Sequence, residues 1–405
     1  MTHFKKREIS SSLVSAVESM PVVVLSGMRQ TGKSTLLQNL PEFQNTRYAT
    51  FDDLNTLEAA RRNPEAFVDQ GGPLIIDEAQ KFPEILLYVK RSVDKRRKMG
   101  QFILSGSANF LLLRKISESL AGRAVYLTLY PFTRREISGQ TQHEPVLVHF
   151  LKTGKFSKKG AHPIPWKDVL FGGMPSLCLG EIKNPKVWLR GYEQTYLERD
   201  MRSLAQVADL IAFRNLLHLA ALRNAQVLNL SELARDAKLN CMTTSRYIDL
   251  MEVSFVINRL YPHLRNPASR LIKAPKIYLS DTGLACFLAG EQTVAEHEIL
   301  KGAMWENYIF QNVQATLAYH CPDVQITYWN IQGRYEVDFV VEFGNKTLAI
   351  EVKSGSRIAD ADLMGLRAFL NSDKNCMGAV VVYNGTETLH VDENIWAVPA
   401  NMFLS

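Results

Sequence analysis

Cysteine is scarce. The chain has five in 405 residues (Cys178, Cys241, Cys286, Cys321 and Cys376), and no two are spaced as Cys-x-x-Cys. That excludes a zinc ribbon and a disulfide framework, and it fits a reducing, cytoplasmic setting. Long apolar runs are also missing. None approaches the ~20 residues that cross a bilayer, so no membrane partner is expected. No apolar segment follows Met1-Thr2-His3-Phe4-Lys5-Lys6-Arg7, so no secretory signal is read there. Solenoid-period repeats and low-complexity tracts are absent. The charge excess is small, +6 with a pI near 8.9. It permits a nucleic-acid partner without requiring one. What remains is 46% hydrophobic and 22% charged. That is a globular composition, in a chain long enough for roughly two to four domains.

The most informative stretch is Val22-Val23-Val24-Leu25-Ser26-Gly27-Met28-Arg29-Gln30-Thr31-Gly32-Lys33-Ser34-Thr35-Leu36-Leu37. A β-branched apolar run leads into a glycine loop and then a helix. Gly27 to Ser34 fits G-x-x-x-x-G-K-[ST], the phosphate-binding loop of NTPases. Glycines let backbone N–H groups approach phosphate oxygens, and the helix starting near Lys33 turns its positive end toward the anion. The nucleotide-binding set is therefore Gly27, Arg29, Gln30, Thr31, Gly32, Lys33, Ser34 and Thr35. Lys33 can reach the β- and γ-phosphates, and the Ser34 hydroxyl can ligate Mg²⁺. ATP and Mg²⁺ are the implied cofactors.

Downstream, Pro73-Leu74-Ile75-Ile76-Asp77-Glu78 is a short buried strand ending in two acids. After a phosphate loop this looks like a Walker B segment, with Asp77 holding Mg²⁺ and Glu78 orienting the attacking water. A second strand is expected at Arg47–Phe51 and another at Gln101–Ser107. Arg123 follows a tight Gly122 and precedes a strand. It could face a phosphate of its own or a neighbouring subunit, as an arginine finger, or be a plain surface arginine. Strand–helix alternation implies a parallel, helix-covered sheet. The basic run Lys90-Arg91 and Lys95-Arg96-Arg97-Lys98 is a solvated face or a contact to DNA phosphates.

Several of these stretches together resemble a group of bacterial and archaeal AAA-type ATPases whose C-terminal region has no assigned function. They are Gly27–Thr35, Phe51-Asp52-Asp53, Ile76-Asp77-Glu78-Ala79-Gln80, Ser105-Gly106-Ser107-Ala108 and Ala121-Gly122-Arg123. The resemblance continues in Phe171-Gly172-Gly173-Met174-Pro175, Tyr196-Leu197-Glu198-Arg199-Asp200, Ala274-Pro275-Lys276-Ile277-Tyr278 and Ser280-Asp281-Thr282-Gly283-Leu284. In such ATPases the strand end equivalent to Ser105-Gly106-Ser107 carries a polar residue that senses the γ-phosphate, so Ser107 or Ser105 is a sensor candidate, with a simple turn as the alternative. The resemblance also implies that sites complete one another between subunits of a homo-oligomer, such as a hexameric ring.

Residues 139–205 read as a loop-rich linker followed by a helical segment. In 206–292, Asn229–Asn240 and the helix after Met242-Thr243-Thr244 bury one face and read as a helix-turn-helix. Strands at Val256–Tyr261 and Lys276–Leu279 would complete a winged helix. Thr243, Thr244, Arg246, Arg265, Arg270 and Lys273 are then DNA-contact candidates, with Lys276 beside them.

In 293–405, Glu306 lies on an amphipathic helix, and Asp338 and Glu351-x-Lys353 lie on alternating strands around a Gly344-Asn345 turn. The set Glu306, Asp338, Glu351 and Lys353 resembles the PD-(D/E)xK nuclease superfamily, whose members include binding modules that do not cut; the plain alternative is a charged solvent face. Two carboxylates could converge on Mg²⁺, and period 2 puts Lys353 on the face of Glu351, near an attacking water.

The expected fold class is α/β. A P-loop ATPase domain (1–138) leads to a winged helix and then an α/β nuclease-like domain. The expected function is ATP hydrolysis that remodels or moves along DNA, with branched DNA as the partner. A metal-dependent nuclease gated by ATP and a non-catalytic ATP-switched regulator are the alternatives.

Overall fold

The computed structural model describes residues 4–106, 120–156, 160–196, 209–264, 266–290, 294, 297–331 and 334–405. The chain divides into two compact units, one reaching to Pro131 and one holding most of Phe132–Ser405.

In the first unit, β1 (Val22–Ser26), β2 (Arg47–Thr50), β3 (Leu74–Asp77), β4 (Phe102–Ser105) and β5 (Ala124–Thr128) form one sheet in the order β2-β3-β4-β1-β5. Every pairing is parallel, with Val22 opposite both Phe102 and Ala124. The run Val22-Val23-Val24-Leu25-Ser26 is buried throughout, as a strand covered on both faces requires. Val22, Val24, Ile76 and Leu104 pack with Leu86 and Val89 of the Ile85–Arg96 helix. Each such side chain contributes about 1.5–3 kcal/mol by leaving water. Asp53, read with the Phe51-Asp52-Asp53 motif, is a helix cap. Its carboxylate accepts from Asn55 and Thr56 N–H at the start of Leu54–Arg62.

The second unit begins with short helices, Arg134–Ser138, Val146–Thr153, Trp166–Phe171, Pro175–Cys178 and Pro185–Thr195. Then come the Leu210–Leu222 helix, β6 (Gln226–Val227), the helices Leu230–Asp236 and Cys241–Val253, β7 (Ile257–Leu260) and β8 (Lys276–Leu279). The three strands form an antiparallel sheet in the order β6-β8-β7. Asn229 caps the Leu230 helix through Glu232 N–H. Two elements differ from the sequence expectation. β6 has only two residues, too few to show a period. The loop between β7 and β8 holds a helix, Pro267–Ile272, started by Asn266 capping Ala268 N–H with Pro267 in the first turn.

The C-terminal part opens with the 23-residue Glu298–His320 helix. A six-stranded mixed sheet follows in the order β13-β14-β12-β11-β10-β9. Its strands are β9 (Gln325–Ile331), β10 (Tyr335–Phe343), β11 (Lys346–Lys353), β12 (Cys376–Tyr383), β13 (Leu389–Asp392) and β14 (Ile395–Pro399). β9, β10 and β11 are an antiparallel meander, with Gly344-Asn345 as the β10–β11 turn. β12 then joins β11 in parallel after the Met364–Ser372 helix, as a crossover connection demands.

Two motifs far apart in sequence meet in this unit. Gly172 has φ +62°, and a Cβ there would lie 2.4 Å from Asp281 Oδ2. Asp281 is fully buried and accepts from Gly173 N–H at 2.6 Å and Leu284 N–H at 2.9 Å. Phe171-Gly172-Gly173 and Asp281-Thr282-Gly283 are thus one joint. Asp281→Ala would strand those buried donors. A loss of about 3 kcal/mol is expected, read as a lowered urea midpoint for the full chain.

Candidate functional site

The phosphate loop leaves β1 at the carboxyl edge of the parallel sheet, where α/β folds bind ligands. Gly27 has φ +142°, and a Cβ there would fall 2.3 Å from the Leu129 carbonyl oxygen. Only glycine fits. Gln30 (φ 60°) and Gly32 (φ 92°) curl the loop further. The loop is braced from outside. The buried Arg7 guanidinium donates to the Thr31 carbonyl at 2.8 Å and to the Tyr130 carbonyl at 2.6 Å. Lys33 is buried, and its ammonium donates to the Gly27 and Met28 carbonyls at 2.8 and 2.9 Å. A triphosphate would offer the same ammonium anionic oxygens in their place.

Asp77 ends β3 and is 2% exposed. Its carboxylate accepts from Tyr48 at 2.5 Å, from the Ser105 hydroxyl, and from Glu78 N–H at 3.1 Å. Tyr48 also hydrogen-bonds the Ser34 and Gln38 side chains. Burial, and then Asp77, raise the Tyr48 hydroxyl well above its ordinary pKa, so it stays a donor. Ser34, Tyr48 and Asp77 therefore surround one point, an oxygen-rich corner that fits Mg²⁺ carried in with phosphates. When bound, the ion would neutralise charge on the phosphate oxygens. The sequence alone does not single out Tyr48. A tyrosine inside a short strand reads as core, and only the pairing of Thr50 with Asp77 shows that β2 lies beside the acid.

Glu78 takes a left-handed backbone (φ 53°, ψ 39°), which turns it away from the strand direction. Gln80 donates to its carboxylate. Burial raises its pKa, opposed by Gln80 and by Lys33. A carboxylate raised this way is suited to take a proton from water.

The sensor candidates divide. Ser105 serves Asp77, and Ser107 lies outside the described residues. Arg123 corrects an expectation. Its carbonyl accepts from Val22 N–H, at the start of β1, the opposite end of the sheet from the phosphate loop. Its guanidinium is held by Asp94 at 2.6 Å and the Ala121 carbonyl at 3.0 Å. A role on its own subunit's phosphates is thereby removed. In the basic run, Lys95 pairs with Glu65 and Asp69 on the same unit.

The DNA-contact candidates also divide. Arg246 and Lys273 are exposed and Thr243 is half-buried. Thr244 is fully buried, its hydroxyl returned to the Asn240 carbonyl at 3.0 Å, so it reaches no phosphate. Arg270 is committed to Glu342 at 2.8 Å and to the Leu264 carbonyl. Arg265 lies outside the described residues.

The C-terminal quartet does come together. Phe339 pairs with Ile350, which sets Asp338 beside Glu351. Lys353 meets Glu351 at 2.9 Å. Burial, then Asp338, pushes the Glu306 and Glu351 carboxyls above the carboxylate range, and burial likewise raises Asp338. A further side chain, however, enters the cluster on the Glu306 and Asp338 side. Lys276 of β8 is buried, with Nζ 3.2 Å from Glu306, 2.5 Å from Glu336 and 3.6 Å from Asp338. The expectation that Lys276 touches DNA is therefore wrong. Tyr278 donates to Glu306 at 2.5 Å, and Val352 N–H to Asp338 at 2.8 Å. No group of three His, Cys, Asp or Glu side chains among the described residues is placed to hold a metal ion. As arranged, the quartet does not fit Mg²⁺.

Residues 19–138 match the family described as AAA domain. They form an AAA-type P-loop ATPase domain. Residues 166–294 and 301–403 match two families described as domains of unknown function, DUF8612 and DUF4143. The chain is 29% identical over 410 residues to an uncharacterized protein of Mycobacterium tuberculosis, covering 99% of this chain and 85% of that one. The figures are the same for an uncharacterized protein of Mycobacterium bovis. Among solved structures, a Walker-type ATPase of Pyrococcus abyssi is similar at 16% identity and a TM-score of 0.44, over 71% of this chain and 96% of that one. DnaA of Aquifex aeolicus bound to AMPPCP is similar at 17% identity and 0.29, over 62% and 89%. No described helix is long and apolar enough to cross a membrane.

For this ATPase domain, Glu78→Gln should keep nucleotide affinity and lower turnover by ~10²-fold or more. Glu78 must be deprotonated to accept a proton. Turnover should therefore climb as pH rises through its raised pKa, an acid limb that is missing in the variant. Steady-state phosphate release across pH checks both.

Proposed function

We propose that this chain is a Mg²⁺-dependent ATPase that binds DNA and remodels it or moves along it. Its substrate is branched DNA, forks and four-way junctions in repair or recombination. The observation that carries the DNA partner is the order helix, β6, two helices, β7 and β8 in one antiparallel sheet. It supports the winged-helix reading, with exposed Met242 and Arg246 on the second of the paired helices. The Glu298–His320 helix, the β9-β10-β11 meander, the crossover helix and parallel β12 support a nuclease-like fold as a second grip on the substrate. AAA-type sites act between subunits, so the active form is a homo-oligomer such as a hexameric ring. Arg123, directed away from its own phosphate loop, is the finger offered to a neighbour.

One observation favours a second reading, an ATP-switched regulator acting through protein contacts. Arg270 and Lys276, two of the cations between β7 and the end of β8, are paired internally and leave fewer free charges for phosphates. The nuclease alternative needs a divalent ion on carboxylates of which Glu306 and Asp338 are already paired with Lys276.

Steady-state ATP hydrolysis is the test, run without DNA and with single-stranded, duplex, forked and four-way DNA. The expected result is stimulation greatest with branched DNA. Arg246→Ala should weaken DNA affinity by about tenfold, measured by fluorescence anisotropy, and leave DNA-free turnover unchanged. Turnover indifferent to every DNA would move the assignment to the regulator.

A further inference from the structure

Two charged layers meet inside the second unit. One is the C-terminal sheet, whose β10 carries Glu336 and Asp338 on one face by the two-residue period, with Glu306 facing them from the long helix. The other is β8, which belongs to the three-stranded sheet of the middle segment. Lys276 crosses from β8 into the acidic layer. Three carboxylates surround its ammonium, and its side chain is 3% exposed. Two hard oxygen donors that could face a metal are instead committed, Glu306 to Tyr278 and Asp338 to Val352 N–H. Lys353 takes the remaining side, between Glu351 at 2.9 Å and Asp362 at 3.5 Å.

We infer that Lys276 is the resident cation of this cluster. Its ammonium stands where a nuclease-like fold would hold a divalent ion, so the domain binds no such ion there and does not cut DNA. A lysine is a compact point charge with three donors, able to serve three carboxylates at once. Removing one partner of such a buried group leaves the others uncompensated, so Lys276 also acts as a strut. It fastens β8 to the C-terminal sheet, beside a second link in which His263 and Arg270 both meet Glu342 at 2.8 Å. The exclusion of metal rests on these distances. The absence of cutting rests in addition on the nuclease-like reading.

Mn²⁺ binding to the full-length chain, without nucleotide and followed by electron paramagnetic resonance, tests the inference. Wild type and Glu306→Gln should bind Mn²⁺ equally weakly. Lys276→Met, which keeps the stem and removes the charge, frees carboxylate oxygens, and Glu351 Oε2 is already buried without a hydrogen-bond partner. That variant should gain a site at least ~10-fold tighter, which Asp338→Asn removes again. A wild-type site abolished by Glu306→Gln would overturn the inference. So would a Lys276→Met chain that melts cooperatively and gains no site. If Lys276→Met does not fold, the wild type against Glu306→Gln comparison decides alone. Nicking of supercoiled plasmid with Mn²⁺ separates the two layers of the claim. Wild-type nicking lost in Glu351→Ala overturns the inference. A Lys276→Met chain that binds Mn²⁺ without nicking upholds the exclusion of metal and counts against the nuclease-like reading.

Discussion

The first unit depends on one close approach. Gly27 lies so near the Leu129 carbonyl that any side chain would collide with it. That contact presses the phosphate loop against the segment following β5, and Arg7 ties the loop's Thr31 to Tyr130 in the same segment. The loop is thus fixed at both ends before any ligand arrives. A preformed anion cradle avoids the cost of ordering its backbone on binding. The neighbouring strand ends deliver the rest. β4 sits between β1 and β3, so Ser105 meets Asp77 close to the loop, and β2 brings Tyr48 from the far side.

The second unit depends on buried charge in place of a nucleotide. Asp281 organises the Gly172 turn, and Lys276 organises the acidic layer. Both are charged groups in surroundings that would expel them if unpaired. Asp281 is satisfied by backbone N–H groups, Lys276 by carboxylates. A fold that places such groups inside, each with at least one partner supplied from distant sequence, specifies one arrangement of its parts.

Much of this was legible in the sequence, for a reason that differs from part to part. The phosphate loop is local. Its glycines, lysine and serine lie within eight residues, so spacing alone carries the geometry. The acid-ended strand at Asp77 and the Glu351-x-Lys353 alternation are local too. What sequence could not supply are contacts set by strand order. Tyr48 joins Asp77 because β2 pairs with β3. Lys276 leaves the surface because β8 packs beside a helix that begins twenty-two residues later. The stretch Ala274-Pro275-Lys276-Ile277-Tyr278 stands out as a motif, but by residue type alone its lysine is a surface cation. Lys276 and Tyr278 are two apart on a strand, so they share a face, and that face meets Glu306. Arg270 and Thr244 are turned inward for the same reason. Residue type suggests exposure, and the packing of the unit decides it.

The most direct test of the account is single-turnover ATP hydrolysis by the full chain, wild type against Lys33→Ala, with Mg²⁺ present. Lys33 is held on the loop carbonyls, where arriving phosphates would take over its hydrogen bonds. The account predicts hydrolysis by wild type and its loss in the variant. Equal rates in the two chains would contradict it.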